Sequence, residues 1–342
     1  SGEALTTGSD GSIYITGYTF GALDGQTYNG EADAFISKFN SDGTKEWTNV
    51  FGTPYWDGGD ALTTGSDGSI YVTGETYGDL DGQTNNGARD AFISKYNPDG
   101  TKSWTRLLGS TNEFHGDALT TGSDGSIYIA GYGWSDLNGQ TNNGHIDAFI
   151  SKFNPDGTKV WTRLIGSAGE DYGNALTTGS DGSIYVAGVT DGNLDGQTNN
   201  GIDDVFISKF DPDGIKEWTK LLGIVSEDHG KALTTGNDGS IYIAGGSKGN
   251  LGGQINSGDI DAFISKFSIV ETTTKVLSDF QALNYIASNN DLISSIGIDV
   301  EAAKSHYRIY GESQGLSLDS FNAADYLAKY NDLSPYLGDD QT

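Results

Sequence analysis

Short apolar runs alternate with glycine-marked polar turns through most of the chain, and the alternation keeps a fixed period. The string Ala-Leu-Thr-Thr-Gly-Ser-Asp-Gly-Ser-Ile-Tyr begins at Ala4 and returns, nearly letter for letter, at Ala61, Ala118, Ala175 and Ala232, so that each copy starts 57 residues after the one before. A period of this size marks a repeat architecture, in which one supersecondary unit is stacked on copies of itself. Within the second copy the pattern predicts four strands, Asp60–Thr64, Ser69–Gly74, Asp90–Tyr96 and Lys102–Leu108, each rich in β-branched and aromatic residues. Tight turns at Gly65–Gly68 and Asn97–Gly100 join the first pair and the last pair. A long loop ending in Leu80–Gly87 joins the second strand to the third, and Gly109–Gly116 leads into the next copy.

Four antiparallel strands copied in series read as propeller blades. The expected fold is mainly β, a five-bladed β-propeller over residues 1–276, followed by a small α-helical domain over 277–342. Trp47, Trp104, Trp161 and Trp218 share one register of the fourth strand and are expected to pack between blades. The fifth copy lacks its Trp-Thr-Arg-Leu-Leu strand. Either the β-branched stretch Ile269–Val276 substitutes for it, the favoured reading, or the closing strand lies upstream of the sequence.

Strand parity sorts the loops. The two short turns share one face; the long loop between strands two and three shares the other with the blade-to-blade link. Long loops on a rigid scaffold are where binding usually resides. The long loop repeats as Leu-Asp-Gly-Gln-Thr-Asn-Asn-Gly, with Asp24, Asp81, Asn138 and Asp195 at one position and Asp33, Asp90, Asp147 and Asp204 at a second, just before the third strand. Hard oxygen ligands around a glycine turn suit Ca²⁺, and these eight residues are the candidate metal ligands. The competing reading is an Asx-type turn, with the register Asp a buried carboxylate accepting backbone N–H bonds. The blade links and neighbouring loops add Trp56, His115, Trp134, Tyr172 and His229, several beside carboxylates, a pairing that suits sugars.

Charge and composition narrow the classes. A formal net charge of −28 repels nucleic acid and anionic lipid alike. The absence of Cys removes disulfides and thiolate chemistry, and no stretch of 18 apolar residues predicts a membrane-spanning helix. Four histidines, His115, His145, His229 and His306, show no metalloprotease spacing, and no nucleophile-elbow or Walker-type loop is present. An enzyme is therefore not expected, and a hydrolase is the least favoured reading.

The unit resembles the bacterial β-propeller repeat known as SBBP, on Leu164–Leu176, Gly182–Gly188, the Asp-Ala-Phe-Ile-Ser-Lys strand and the Asn-Pro-Asp-Gly turn. The resemblance runs over all five copies and implies a propeller in an exported bacterial protein, with no particular activity. Beyond Thr274 the apolar spacing becomes helical, with helices expected over Phe280–Ser288, Asn290–Ile296 and Val300–Tyr310. Phe321–Ala328 echoes Phe280–Ala287, and this tail resembles short helical Tyr-Leu-Ala repeats appended to exported proteins of cyanobacteria and relatives. The second copy stops at Thr342. The combined expectation is a non-catalytic cell-surface or extracellular-matrix protein, structural or adhesive, its propeller a calcium-stabilised platform. The tail would attach it to other surface proteins or to itself. A glycan-binding, lectin-like propeller is the alternative.

Overall fold

The computed structural model describes residues 1–267, 279–289, 303, 304, 306 and 307. The chain divides into two compact units, Ser1–Ile269 and Val270–Thr342.

The first unit is mainly β and propeller-like, five antiparallel sheets in series. The first sheet holds β1 (Gly2–Thr7), β2 (Ile13–Thr19), β3 (Asp33–Phe39) and β4 (Lys45–Phe51). The second holds β5 (Asp57–Thr64), β6 (Ile70–Thr76), β7 (Asp90–Tyr96) and β8 (Lys102–Leu108). The third holds β9 (Phe114–Thr121), β10 (Ile127–Gly133), β11 (Asp147–Phe153) and β12 (Lys159–Ile165). The fourth holds β13 (Asp171–Thr178), β14 (Ile184–Thr190), β15 (Asp204–Phe210) and β16 (Lys216–Leu222). The fifth has three described strands, β17 (Asp228–Thr235), β18 (Ile241–Ser247) and β19 (Asp261–Phe267). Each sheet is a simple meander, as the period-57 turn pattern requires.

Alternation along each strand sends side chains to both faces, and both faces are covered by neighbouring sheets. One core joins Ile36 and Phe51 of the first sheet to Leu62, Val72 and Phe92 of the second. The next joins Ile93 and Leu108 to Phe114, Ile129 and Phe149. A third joins Ile150 and Ile165 to Leu176, Val186 and Phe206. The cores therefore lie between sheets, not within them. A hydroxyl thread stitches the innermost strands: Thr64 Oγ1 donates to the Thr7 carbonyl, Thr121 to Thr64, Thr178 to Thr121 and Thr235 to Thr178, at 3.1–3.3 Å. The register tryptophans pack between blades as expected. Trp47, Trp104 and Trp161 each donate Nε1–H to a proline carbonyl in the next sheet's turn, Pro98, Pro155 and Pro212.

At the two ends of the series this packing stops. Ile36, Ile93, Ile150 and Ile207 are buried, whereas Ile264 at the same register is 73% exposed. Leu62 and Leu176 are buried, whereas Leu5 is 68% exposed. The first and last sheets thus do not bury these faces against each other, in contrast to the closed ring expected from the sequence. The substitute strand Ile269–Val276 lies outside the described residues.

In the second unit the described helix is α1, Asp279–Ser288, matching the first expected tail helix. Ala282, Tyr285 and Ile286 are its buried face. Tyr285 packs edge-on to Tyr307 at 5.1 Å and its hydroxyl meets His306 Nδ1 at 2.8 Å. The expected helix Asn290–Ile296 and the repeat from Phe321 lie outside the described residues.

Candidate functional site

Each innermost strand begins with a β-bulge. Pairing skips one residue after a glycine, between Gly2 and Ala4, Gly59 and Ala61, Gly173 and Ala175, and Gly230 and Ala232; β9 skips the equivalent residue opposite Ala130 and Gly131. A bulge leaves one residue out of the ladder and re-aims its side chain. The bulged residues are Glu3, Asp60, Asp117, Asn174 and Lys231. Five closely similar blades thus present a glutamate, two aspartates, an asparagine and a lysine to the inner edge of the array. Sequence reasoning passed over this register; its signal was variation at one position inside a nearly invariant repeat.

The bulged acids sit in an ionic network. Burial pushes Asp60 up to about 8, reinforced by Glu75, Asp117 and Glu3 and opposed by Arg89. Burial likewise raises Asp117 to about 6, offset first by His115. Arg89 spans Glu75 at 3.1 Å and Glu113, and lies over the Tyr77 ring at 5.1 Å. His115 Nδ1 pairs with the same Glu75. Arg89 Nε and His115 Nε2 are buried with no hydrogen-bond partner. Such groups normally find a partner, so this throat offers an unused Arg89 N–H and an unused ring nitrogen of His115 beside its carboxylates.

Next to the network lies a cavity of about 460 Å³, lined by Asp117, Tyr132, Glu170, Tyr172, Asn174, Val189, Asp191, Asp203, His229 and Lys231. Four of the five residues predicted to bind ligand border it or adjoin its wall. His115 stacks on Tyr132 at 4.6 Å; Trp134 lies 5.4 Å from Tyr132, and Tyr172 4.8 Å from it edge-on. His229 lines the cavity itself. Trp56 belongs to a separate ring cluster, 5.3 Å from Tyr18 and 6.1 Å from Tyr77. Tyr172 donates its hydroxyl to Glu170 at 2.7 Å; burial, reinforced by that bond, raises the phenol well above its usual value. Asp203, Glu227 and His229 bring ligand atoms within 4.8 Å of one another, a spacing that can hold a metal ion; Glu227 also pairs with Lys248 at 2.7 Å.

The eight expected metal ligands fall into two groups that do not share a site. Asp24, Asp81, Asn138 and Asp195 adopt left-handed backbone, φ 51–53°. Their side chains are engaged by the fourth strand. Asp24 meets Lys45 and Thr48, Asp81 meets Lys102 and Thr105, Asn138 meets Lys159 and Thr162, and Asp195 meets Lys216 and Thr219. This position clamps the loop to its own blade. Asp33, Asp90, Asp147 and Asp204 are instead fully buried where consecutive blades meet. Each accepts a backbone N–H from its loop, for instance Asn29 N to Asp33 Oδ2 at 2.8 Å.

The fold thus defines a propeller-like β-repeat protein with an acidic, aromatic inner edge. A β-propeller repeat model, SBBP, matches residues 160–195, and a β-propeller domain of unknown function, DUF5122, matches 65–102 and 122–159. The chain is 29% identical over 233 residues to the regulatory protein FlaEY of Caulobacter vibrioides, covering 58% of this chain and 24% of that one. It is 23% identical over 181 residues to the uncharacterized WD repeat-containing protein L264 of Acanthamoeba polyphaga mimivirus, covering 42% and 13%. The chain therefore spans about a quarter or less of the length of these relatives. Similar solved structures include the Neurospora crassa Pan2 WD40 domain, with a TM-score of 0.45 at 14% identity over 78% of this chain and 62% of that one. The polysaccharide lyase Uly1 gives a TM-score of 0.42 at 13% identity, over 77% and 56%.

Proposed function

We propose that the protein is a non-catalytic, exported interaction platform that holds its partner on the inner edge of the blade array. The observation that carries this reading is the bulge register. Near-identical blades differ where Glu3, Asp60, Asp117, Asn174 and Lys231 project, and the 460 Å³ cavity opens beside three of these residues. The bulge register and the varied links beside it, which supply His115, Tyr172 and His229, are where the copies depart from one another around this cavity. Calcium stabilisation belongs to the same reading, through the acidic loops. Among the described residues no helix is long and apolar enough to cross a membrane.

A second reading, glycan binding, is favoured by the run His115, Tyr132, Trp134 and Tyr172 beside Glu170. Apolar ring faces and hydroxyl acceptors together match a polyhydroxylated ligand. The test is a screen of soluble polysaccharides and cationic peptides by tryptophan fluorescence, with product analysis of every binder. Binding without turnover, weakened at least tenfold in Tyr132→Ala, supports a platform, and the class of binder separates the two readings. Release of a cleaved product overturns the non-catalytic assignment.

A further inference from the structure

The blade junctions carry carboxylates in pairs. Asp33 heads β3 and Asp57 heads β5; Asp147 and Asp171 head β11 and β13; Asp204 and Asp228 head β15 and β17. All six are fully buried. In each, Oδ2 is held by its own loop. Asp57 Oδ2 accepts Thr53 N–H and hydroxyl at 2.6 and 2.8 Å, Asp171 Oδ2 accepts the same two groups of Ser167, and Asp228 Oδ2 accepts Ile224 N–H. The Oδ1 atom of all six makes no hydrogen bond of ordinary geometry; the facing Thr76 and Thr190 hydroxyls act on the Asp57 and Asp171 carboxylates. The members of a pair are close: a Cβ built on Gly52 would stand 2.7 Å from Asp33 Oδ1 and 2.9 Å from Asp57 Oδ2. The charge of Asp171 acts on Asp147, and that of Asp228 on Asp204.

The junction between the second and third blades is a control built into the chain. Asp90 is buried there with the same bare Oδ1, but Phe114 replaces its partner. A second position changes with it. Asp57, Asp171 and Asp228 are paired across the strands with Thr76, Thr190 and Ser247, whereas Phe114 is paired with Gly133. A Cβ at Gly133 would meet the Phe114 ring at 2.2 Å. The second carboxylate and the facing hydroxyl are therefore present together or absent together, as members of one ligand set would be.

Two buried carboxylates with bare oxygens are strongly unfavourable unless neutralised. A shared proton removes one charge; a divalent cation removes both. Carboxylate and hydroxyl oxygens are hard donors, matched to Ca²⁺ and not to softer ions. We propose that the Asp33–Asp57, Asp147–Asp171 and Asp204–Asp228 pairs each hold one calcium ion, and that the Asp90–Phe114 junction holds none. This rests on the calcium component of the proposed function and moves it from the glycine loops to the junctions between blades. One carboxylate of each pair anchors the long loop and the other anchors the blade link, so the ion would lock together the two loops that frame the inner edge.

The test is calcium stoichiometry on the full chain, first stripped with chelator and then dialysed against calcium, with melting in calcium and in chelator alongside. Three ions per chain are expected, one for each complete pair, and a higher Tm with calcium. The double variant Asp33→Asn/Asp57→Asn is expected to lose one ion, and Asp90→Asn none. Phe114→Asp with Gly133→Thr is expected to gain a fourth, a readout that survives should the double Asn variant fold poorly. Calcium bound in unchanged amount by the double variant overturns this location and leaves calcium stabilisation standing. No calcium bound, with a Tm that is highest in acid, overturns both and assigns the pairs to shared protons.

Discussion

Asp60 shows how a single bulged residue makes stability depend on pH. Its folded-state value, about 8, lies far above the ordinary carboxylate value of 3.8. The folded protein therefore holds this proton more tightly than the unfolded chain does. The stability tied to the proton is fully present below pH 4 and is lost progressively as pH rises through 8. Asp60→Asn keeps the shape without the charge, so its Tm should match that of the parent near pH 4 and exceed it at pH 9. A gap of a few degrees is expected, since about 1 kcal/mol moves Tm by roughly 2–4 °C in a domain of this size. Melting curves across pH 4–9 check this, and a gap that stays constant with pH would rule out the assignment. Asp60 is also one of the residues that the repeat pattern conceals. The aromatic candidates His115, Trp134, Tyr172 and His229 are visible as departures from the repeat. Asp60 and Asp117 look like the start of an ordinary strand, and only the bulge turns them inward.

At the scale of elements, two kinds of glycine separate two causes of sequence constraint. Gly109 lies in the link after β8, and a Cβ there would meet Asp90 Oδ1 at 2.0 Å. Gly82 lies in the long loop with open space around its Cβ position but a φ of +75°. Gly109→Ala must displace a buried carboxylate, a cost of about 1–3 kcal/mol by the measure of overpacked cores. Gly82→Ala pays only the left-handed backbone, about 1–2 kcal/mol. Chemical denaturation is expected to rank Gly109→Ala as the more damaging, and because Asp90 belongs to the unpaired junction, neither change should alter the number of calcium ions bound. The strand and turn assignments were readable because glycine, proline and β-branched residues mark boundaries locally. The roles of Asp24 and Asp33 were not separable from the sequence: both are acids near one glycine loop. Their fates depend on partners 24 residues away in each case, Thr48 for Asp24 and Asp57 for Asp33.

At the scale of the whole molecule, the repeat makes the same interface four times and leaves its two halves bare at the ends. Leu62, 7% exposed, packs in the core shared with Ile36, while Leu5, its equivalent in the first blade, is 68% exposed. The same substitution at these two positions therefore reads the local environment with side-chain chemistry held constant. Leu62→Ala removes buried methyl groups and leaves a cavity between two sheets, which costs about 2–5 kcal/mol. Leu5→Ala removes a side chain already in water and should change stability by no more than about 0.5 kcal/mol. Ile150→Ala and Ile264→Ala form the matching pair on the opposite face, where Ile150 is buried and Ile264 is 73% exposed. A closed ring in solution gives a different answer. Leu5 would then pack against Ile264 as Leu62 packs against Ile36, and all four substitutions would cost alike. Denaturant unfolding of the four variants decides between the open array and the ring, with equal losses at Leu5 and Leu62 the result that would close it.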